Sequence, residues 1–269
     1  MSLPSPDPQS VVLVTGASSG IGAELARQLA ARGHDLVLVA RRKDRLETLA
    51  TEIRESSGVE VDVRKADLSV QAQRTRLINA LRDGERHVAA VCNNSGFSSY
   101  GKFQDLPLDG ELEQVRVNVL ALLELTGAFV PGMLERRTGA ILNVASIAGF
   151  QPVPNQATYG ATKAFVVSLS EAVHTDLGGT GVSCTALCPG PVHTEFTEVA
   201  GMTEVEDAAP DFVWLEPAEV AKAGVEGMVR GKRMVFPSMT HQAFGVAGRV
   251  APRSVLLPLY ERFGPTRGR

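Results

Sequence analysis

Short runs of β-branched and apolar residues alternate along the chain with longer segments of helical periodicity, and this alternation constrains the fold most strongly. Seven runs predict strands, at residues 11–15, 35–40, 59–65, 87–92, 139–145, 181–188 and 233–236. The helical segments are residues 21–31, 43–56, 70–83, 108–136, 157–177 and 217–229. This order is typical of βαβ units, so we predict an α/β protein built on one doubly wound parallel sheet.

The chain of 269 residues has a length that a doubly wound sheet commonly reaches as a single domain. We expect a flexible N-terminus at residues 1–10 and one domain over residues 11–237. Within it, residues 191–216 follow the sixth strand without a clear period, so they are predicted to form a substrate lid. Residues 238–269 show no long helical pattern, and we expect an extension packed on the domain or on a partner subunit.

The composition is that of a globular chain, because 44% of residues are hydrophobic and 21% are charged, which excludes disordered, collagen-like and coiled-coil proteins. The apolar runs are far shorter than the roughly 18–20 residues that span a bilayer, so neither a transmembrane helix nor membrane contact is expected. The first ten residues have no positive charge and no apolar core, unlike a secretory signal. A cytoplasmic location is therefore expected.

Neither the cysteines nor the charges predict a metal or a nucleic-acid site. Cys92, Cys184 and Cys188 lie in apolar stretches, and the histidines are scattered without ligand spacing. Residues 195–226 are acidic and residues 230–269 are basic, but aromatic residues do not interleave with the basic ones. We expect no bound metal and no nucleic-acid partner.

A glycine-rich turn follows the first predicted strand and opens a helix. After Thr15 it consists of Gly16, Ala17, Ser18, Ser19, Gly20, Ile21 and Gly22. Glycines permit a tight turn and let the backbone approach a pyrophosphate, whose charge is stabilised by the free amides at the start of the helix. The strand, turn and helix context therefore predicts dinucleotide binding.

A second motif places a tyrosine and a lysine four residues apart, at Tyr159 and Lys163, in a predicted helix. Side chains at this spacing share one helix face. An unperturbed tyrosine has a pKa near 10, and a neighbouring ammonium favours the phenolate. The pair therefore predicts a general acid for reduction and a general base for oxidation.

The T-G-x-x-x-G-x-G spacing of the turn, with the tyrosine and lysine, resembles the classical short-chain dehydrogenase/reductase family from about residue 11 to residue 236. The resemblance implies a single-domain Rossmann fold with strand order 3-2-1-4-5-6-7 and a nicotinamide cofactor across the carboxyl ends of the strands. It also implies two further catalytic residues. Ser146 would hydrogen-bond the substrate oxygen, and Asn118 would kink its helix and hold a water that links Lys163 to solvent.

The same resemblance implies which residues contact the cofactor. The second strand ends at Ala40, where NAD-dependent members carry an acidic residue, and Arg41 follows; a guanidinium grips a 2′-phosphate, so NADP(H) is expected in preference to NAD(H). Arg42 is a candidate for the same role. The cofactor-contacting residues expected from the family motifs are Gly16, Ser18, Ser19, Gly20, Ile21, Gly22, Arg41, Arg42, Asp67, Leu68, Asn93, Gly96, Tyr159, Lys163, Pro189, Gly190, Val192 and Thr194.

The expected reaction is reversible hydride transfer between the nicotinamide and a carbonyl or secondary alcohol, with reduction of a lipophilic ketone or a 3-oxoacyl-type substrate favoured. The apolar lid residues, which suit either such a substrate or packing on the core, are Phe196, Met202, Phe212, Val213 and Trp214. The alternatives are a related epimerase or dehydratase and a non-catalytic NADP-sensing or partner-binding protein. The resemblance also implies a homodimer or homotetramer.

Overall fold

The computed structural model describes residues 3–202 and 213–263, with side chains as far as residue 258. Its sheet has seven strands, all paired in parallel, in the order β3-β2-β1-β4-β5-β6-β7. This order confirms the predicted Rossmann fold. The strands are β1 (Ser10–Thr15), β2 (Leu36–Ala40), β3 (Val61–Lys65), β4 (His87–Asn93), β5 (Gly139–Val144), β6 (Val182–Leu187) and β7 (Met234–Val235).

Helices connect these strands and cover both faces of the sheet. They are α1 (Gly20–Ala30), α2 (Lys43–Ser57), α3 (Gln71–Arg82), α4 (Leu108–Val115), α5 (Leu122–Arg136), α6 (Ala157–Asp176), α7 (Phe196–Ala200), α8 (Pro217–Val229), α9 (Met239–Val250) and α10 (Arg253–Phe263). The predicted helices that connect the strands are present, with ends that differ by one or two residues. Assignments of helix ends commonly differ by this much.

Alternate residues of each central strand point into two separate core layers, which explains why the strands are apolar throughout. Val12 and Val14 of β1 lie in a cluster with Leu25 of α1. Leu13, between them in sequence, lies on the other face in a cluster with Phe129 of α5. Because the sheet is covered on both sides, a ligand is expected at the carboxyl edge of its strands, where open α/β sheets bind their ligands.

One long helical stretch, Leu108–Arg136, is interrupted by a departure from regular α-helix. Between α4 and α5 the residues Arg116–Ala121 form a π-helical turn, and Asn118 lies in it. Within the described part of the chain, this stretch is also the one long and apolar enough to cross a membrane by length and composition, a feature that the sequence analysis did not predict. Leu125 and Phe129 of α5 are buried in the sheet's core layer, as in the core helix of a globular domain.

The two ends of the chain differ from the sequence-based expectations. Residues 238–269 were expected to contain no long helix, but α9 and α10 form there, and His241 of α9 is buried. At the other end, the expectation of flexibility over residues 1–10 does not account for Leu3, which is buried and donates its backbone N–H to the carbonyl of Met228. The predicted lid residue Phe212 lies outside the described residues, as does the end of the basic segment, residues 264–269.

Candidate active site

A groove of about 540 Å³ runs along the carboxyl ends of the strands. This volume lies within the roughly 300–1,000 Å³ of typical ligand pockets. Most of the residues expected to contact a cofactor or substrate line it: Gly16, Ser18, Ser19, Gly20, Ile21, Arg41, Arg42, Asp67, Leu68, Gly96, Ser146, Tyr159, Lys163, Pro189, Gly190, Val192 and Thr194. The other three expected residues, Gly22, Asn93 and Asn118, do not line the groove.

The turn between β1 and α1 is built for close approach of a ligand to the backbone. Gly16 and Gly20 have φ of 67° and 55°, a region that side chains disfavour. A Cβ on Gly22 would lie 2.3 Å from the carbonyl oxygen of Gly16, so this glycine allows α1 to pack directly under the turn. The start of α1 therefore opens into the groove, and the turn fits the pyrophosphate of a dinucleotide.

The turn is held by Asn94, a residue that the sequence analysis did not assign to the site. The Asn94 side-chain amide donates to the carbonyl oxygens of Thr15 and Gly16, at 2.9 and 3.3 Å. Its neighbour Asn93, which was expected to contact the cofactor, points the other way and donates to Thr126 and Asn143 inside the core. The Asn93 side chain therefore faces the core, because adjacent residues at a strand end face opposite sides, and its expected contact with the cofactor stays a prediction.

The two arginines after β2 have different surroundings. Arg41 is 64% exposed, and its guanidinium lies 3.5 Å from the carboxylate of Glu113. Arg42 instead donates to the hydroxyls of Ser18 and Ser19 in the phosphate turn, at 3.1 and 2.7 Å, and pairs with Glu195 at 2.6 Å. Both cations therefore lie at the end of the groove where the adenosine half of a dinucleotide would bind.

Asp67, expected to bind an adenine amino group, follows β3 in the same part of the groove. One of its carboxylate oxygens accepts hydrogen bonds from the backbone N–H and the hydroxyl of Ser69, at 2.9 and 2.7 Å. These bonds fix the rotamer of the carboxylate. Its expected contact with an adenine amine stays a prediction.

At the opposite end of the groove, three side chains predicted to be catalytic converge. Tyr159 and Lys163 lie on one face of α6, and the Lys163 ammonium is 5.7 Å from the centre of the Tyr159 ring. The ammonium donates to the carbonyl oxygen of Val144 at 2.7 Å. Ser146 lies two residues after β5, and its hydroxyl donates to the carbonyl oxygen of Pro189 at 3.4 Å and accepts the backbone N–H of Ala148 at 3.1 Å. It is also close enough to Tyr159 to lower the pKa of the phenol. The side chains are therefore fixed before any substrate binds.

Burial governs the protonation of this pair and moves the two groups in opposite directions. Burial raises the pKa of Tyr159 to about 12, against a smaller lowering by the hydrogen bond from Ser146. Burial also lowers the pKa of Lys163 to about 8. The Tyr159–Lys163 spacing predicted that the ammonium favours the phenolate, but burial is the largest influence on the pKa of Tyr159 and raises it. Tyr159 is consequently a protonated phenol at neutral pH, the form that can donate a proton.

The side chain of Asn118 forms hydrogen bonds to residues of two neighbouring segments. Its amide group donates to the carbonyl of Phe97 and to the hydroxyl of Thr162, and its carbonyl oxygen accepts the N–H of Phe97. Asn118 lies in the π-helical turn, and its side chain joins the segment after β4 to α6. A Cβ on Gly96 would lie 3.1 Å from the Asn118 oxygen and 3.6 Å from the Lys163 nitrogen, so this glycine keeps the two groups close.

Apolar side chains form most of the wall beyond Tyr159. The ring of Phe196 on α7 packs on the Tyr159 ring, with 5.5 Å between the ring centres. Gln156 is a polar residue of this wall, and its side-chain amide donates to the hydroxyl of Ser98 at 2.8 Å. The remaining apolar residues that line this half are Phe97, Val153, Val199, Met202 and Trp214.

Comparisons with known proteins agree with this geometry. A family model described as short chain dehydrogenase matches residues 10–205. A solved short-chain dehydrogenase from Sphingobium yanoikuyae, in complex with NADPH, is 37% identical, with a TM-score of 0.81 over 93% of this chain and 95% of that chain. A bulky-bulky ketone specific alcohol dehydrogenase from Comamonas testosteroni is 31% identical, with a TM-score of 0.75 over 94% of this chain and 92% of that one.

A curated relative has a comparable likeness in sequence. The very-long-chain 3-oxoacyl-CoA reductase of Anas platyrhynchos is 32% identical over 253 residues, which cover 92% of this chain and 77% of that protein. The family match spans most of the chain, and the glycine turn and the Tyr159–Lys163 pair lie within it. The chain is a member of the short-chain dehydrogenase family of oxidoreductases.

Proposed function

We propose that this protein is an NADP(H)-dependent oxidoreductase that reduces a lipophilic ketone or a 3-oxoacyl-type substrate, with alcohol oxidation as the reverse reaction. The observation that carries the proposal is the convergence of Tyr159, Ser146 and Lys163 at the end of a groove that begins at the phosphate turn. This arrangement places a proton donor beside the region that a nicotinamide ring would occupy.

The chain's own residues perform the proton transfer. When bound, the nicotinamide ring supplies the hydride in reduction and accepts it in oxidation. The phenol of Tyr159 donates its proton to the carbonyl oxygen, and the Ser146 hydroxyl donates a hydrogen bond to the same atom. The ammonium of Lys163 stabilises the phenolate that Tyr159 becomes. The backbone around Val192 and the hydroxyl of Thr194 are the groups proposed to orient the ring.

The preference for NADP(H) rests on Arg41 and Arg42. The 2′-phosphate carries the charge that distinguishes NADP(H) from NAD(H), and charge-assisted hydrogen bonds from guanidinium groups recognise it. The residue before them is Ala40, so no carboxylate at the end of β2 repels the phosphate. The NADPH-bound relative from Sphingobium yanoikuyae supports this choice.

Replacing Arg41 with glutamine is expected to raise the Kd for NADPH about ten- to a hundredfold, because one or two charge-assisted hydrogen bonds are lost. The Kd for NADH should change little. Fluorescence titration with both cofactors measures the two constants. The matched control is Arg64→Gln on β3, an exposed arginine that pairs with Asp62 outside the groove. Equal binding of NADPH and NADH by the wild-type protein would contradict the assignment.

The direct test of the function follows NADPH absorbance with a panel of carbonyl compounds. Neutral ketones with bulky apolar groups are expected to be reduced fastest, because apolar side chains form most of the wall beyond Tyr159. Tight NADPH binding with no turnover on any carbonyl would favour the non-catalytic sensing alternative. Conversion of an alcohol with no net change in NADPH would instead favour an epimerase or dehydratase.

The proposed assembly is a homodimer or homotetramer in the cytoplasm. Exposed apolar residues on one helical layer support an interface there: Leu108, Leu112, Leu120, Leu123, Leu134 and Phe165. These residues belong to the α4–α5 stretch and to α6, which border the catalytic end of the groove. Mass measurement in solution tests this proposal.

A further inference from the structure

The carboxylate of Glu195, which is not one of the catalytic residues, forms ion pairs that connect the two sides of the groove. Glu195 precedes α7, and its two carboxylate oxygens pair with different arginines of the α2 region, Arg42 at 2.6 Å and Arg45 at a shorter contact. The paired groups are separated by about 150 positions in the chain. The two pairs therefore join the loop after β6 to the segment after β2.

Contacts of neighbouring residues show where these two ion pairs lie relative to the groove. On the α2 side, Arg42 also holds the hydroxyls of Ser18 and Ser19 in the phosphate turn. On the other side, a Cβ on Gly20 would meet the Thr194 methyl group at 2.9 Å, so the residue before Glu195 lies against the start of α1. The ion pairs consequently cross the groove where the pyrophosphate of a dinucleotide would lie.

The residue next to Glu195 in the chain contacts the catalytic end of the groove. Phe196, the residue after Glu195, is the first residue of α7 and packs on the Tyr159 ring. A shift of Glu195 would therefore move the wall that covers the proton donor. Glu195 is thus placed between the group that selects the cofactor and the surface that contacts the substrate.

We propose that Glu195 is a positioning residue that straps the loop after β6 onto Arg42 and Arg45 and so holds a bound dinucleotide in the groove. The inference rests on the proposed cofactor binding and adds a residue that controls cofactor release. Both arginines hold the pKa of Glu195 well below its usual value, at about 2, so the carboxylate stays charged at neutral pH. Opening of the strap requires both ion pairs to separate, which makes them a barrier to dissociation rather than a large contribution to global stability.

The test compares Glu195→Gln with Glu198→Gln, which removes the same charge from an exposed position on α7. Stopped-flow release of NADPH and of NADH is followed through Trp214, the single tryptophan of the chain, which lines the groove. Glu195→Gln is expected to release both cofactors about three- to tenfold faster, the size expected for partly exposed ion pairs. Glu198→Gln should behave as wild type.

Salt gives an independent readout that a loss of folding would not produce. The pairs are 38–50% exposed on their side chains, so ions screen them. The ratio of release rates between Glu195→Gln and wild type is therefore expected to shrink as NaCl is raised. Arg45→Gln removes one of the two ion pairs, so its release should be faster than wild type and slower than that of Glu195→Gln. The double variant should be no faster than Glu195→Gln, because Glu195→Gln already lacks both pairs.

Two results would overturn the strap. One is release of both cofactors from Glu195→Gln at the wild-type rate. The other is tighter binding of NADPH alone, which would mean that Glu195 competes with the 2′-phosphate for Arg42. Wild-type protein that binds neither cofactor would overturn the proposed function together with the strap, whereas selective NADPH binding with unchanged release would overturn the strap alone.

Discussion

Tyr159→Phe is expected to lower kcat by about 10²–10⁴-fold, the range that general acid catalysis contributes. The substitution removes the phenol that lies beside Ser146 in the groove and leaves the ring packed on Phe196. Ser146 keeps its bond to the N–H of Ala148, so the neighbouring strand end is not disturbed. Steady-state kinetics with the best ketone of the panel gives kcat, and NADPH titration gives the Kd, which should stay near the wild-type value.

The matched control for this substitution is Tyr100→Phe. Tyr100 is also buried, but it does not line the groove. Its variant should keep its turnover, whatever the cost in stability. A Tyr159→Phe protein that retains more than about a tenth of wild-type kcat would contradict the assignment of Tyr159 as the proton donor, since such a loss is smaller than acid catalysis supplies.

The strands of the sheet could be predicted from the sequence because they are buried on both faces, which makes them apolar throughout, and because they alternate with helices. Strand order came from the family resemblance, and the parallel pairing in the structure agrees with it. Side-chain direction at strand ends was harder to predict. At the end of β4, Asn93 faces the core and Asn94 faces the phosphate turn, and a shift of one position reverses the face.

The features that the sequence did not predict depend on tertiary contacts. α9 carries Gly245 and Gly248, which lower intrinsic helix propensity, and it forms because it packs on the 3₁₀ helix Ile147–Phe150 and on Phe236. The pairing of Glu195 with Arg42 and Arg45 links residues about 150 positions apart, so no local pattern could indicate it. The acidic count of that region suggested only a charged surface.

Lys163→Met is expected to abolish most turnover and, at the same time, to change how stability depends on pH. Without the ammonium near the ring, the phenolate formed during reduction loses its stabilising charge, and kcat should fall about 10²-fold or more. The pKa of Lys163 is lowered by burial from 10.5 to about 8, which makes the charged form unfavourable inside the protein. The residue that supports the chemistry therefore destabilises the fold at neutral pH.

The sign of the pH effect follows from proton binding. Between pH 8 and 10.5 the unfolded chain keeps a proton on Lys163 that the folded chain has released, so the free energy of unfolding rises with pH. Relative to Lys163→Met, the wild type should gain about 2–4 kcal/mol across this window. Below pH 8 the full penalty of the buried ammonium applies, and above pH 10.5 it is absent.

Urea unfolding of wild type and Lys163→Met at several pH values between 7 and 11 measures this difference, and the subtraction removes the titrations that both proteins share. Lys222→Met, which changes an exposed lysine on α8, serves as the control and should run parallel to wild type. Parallel curves for Lys163→Met as well would mean that Lys163 titrates at its ordinary value and that burial does not lower its pKa. In that case the ammonium would be better solvated than its 5% exposure implies, and its hydrogen bond to Val144 could not be its main stabilising contact.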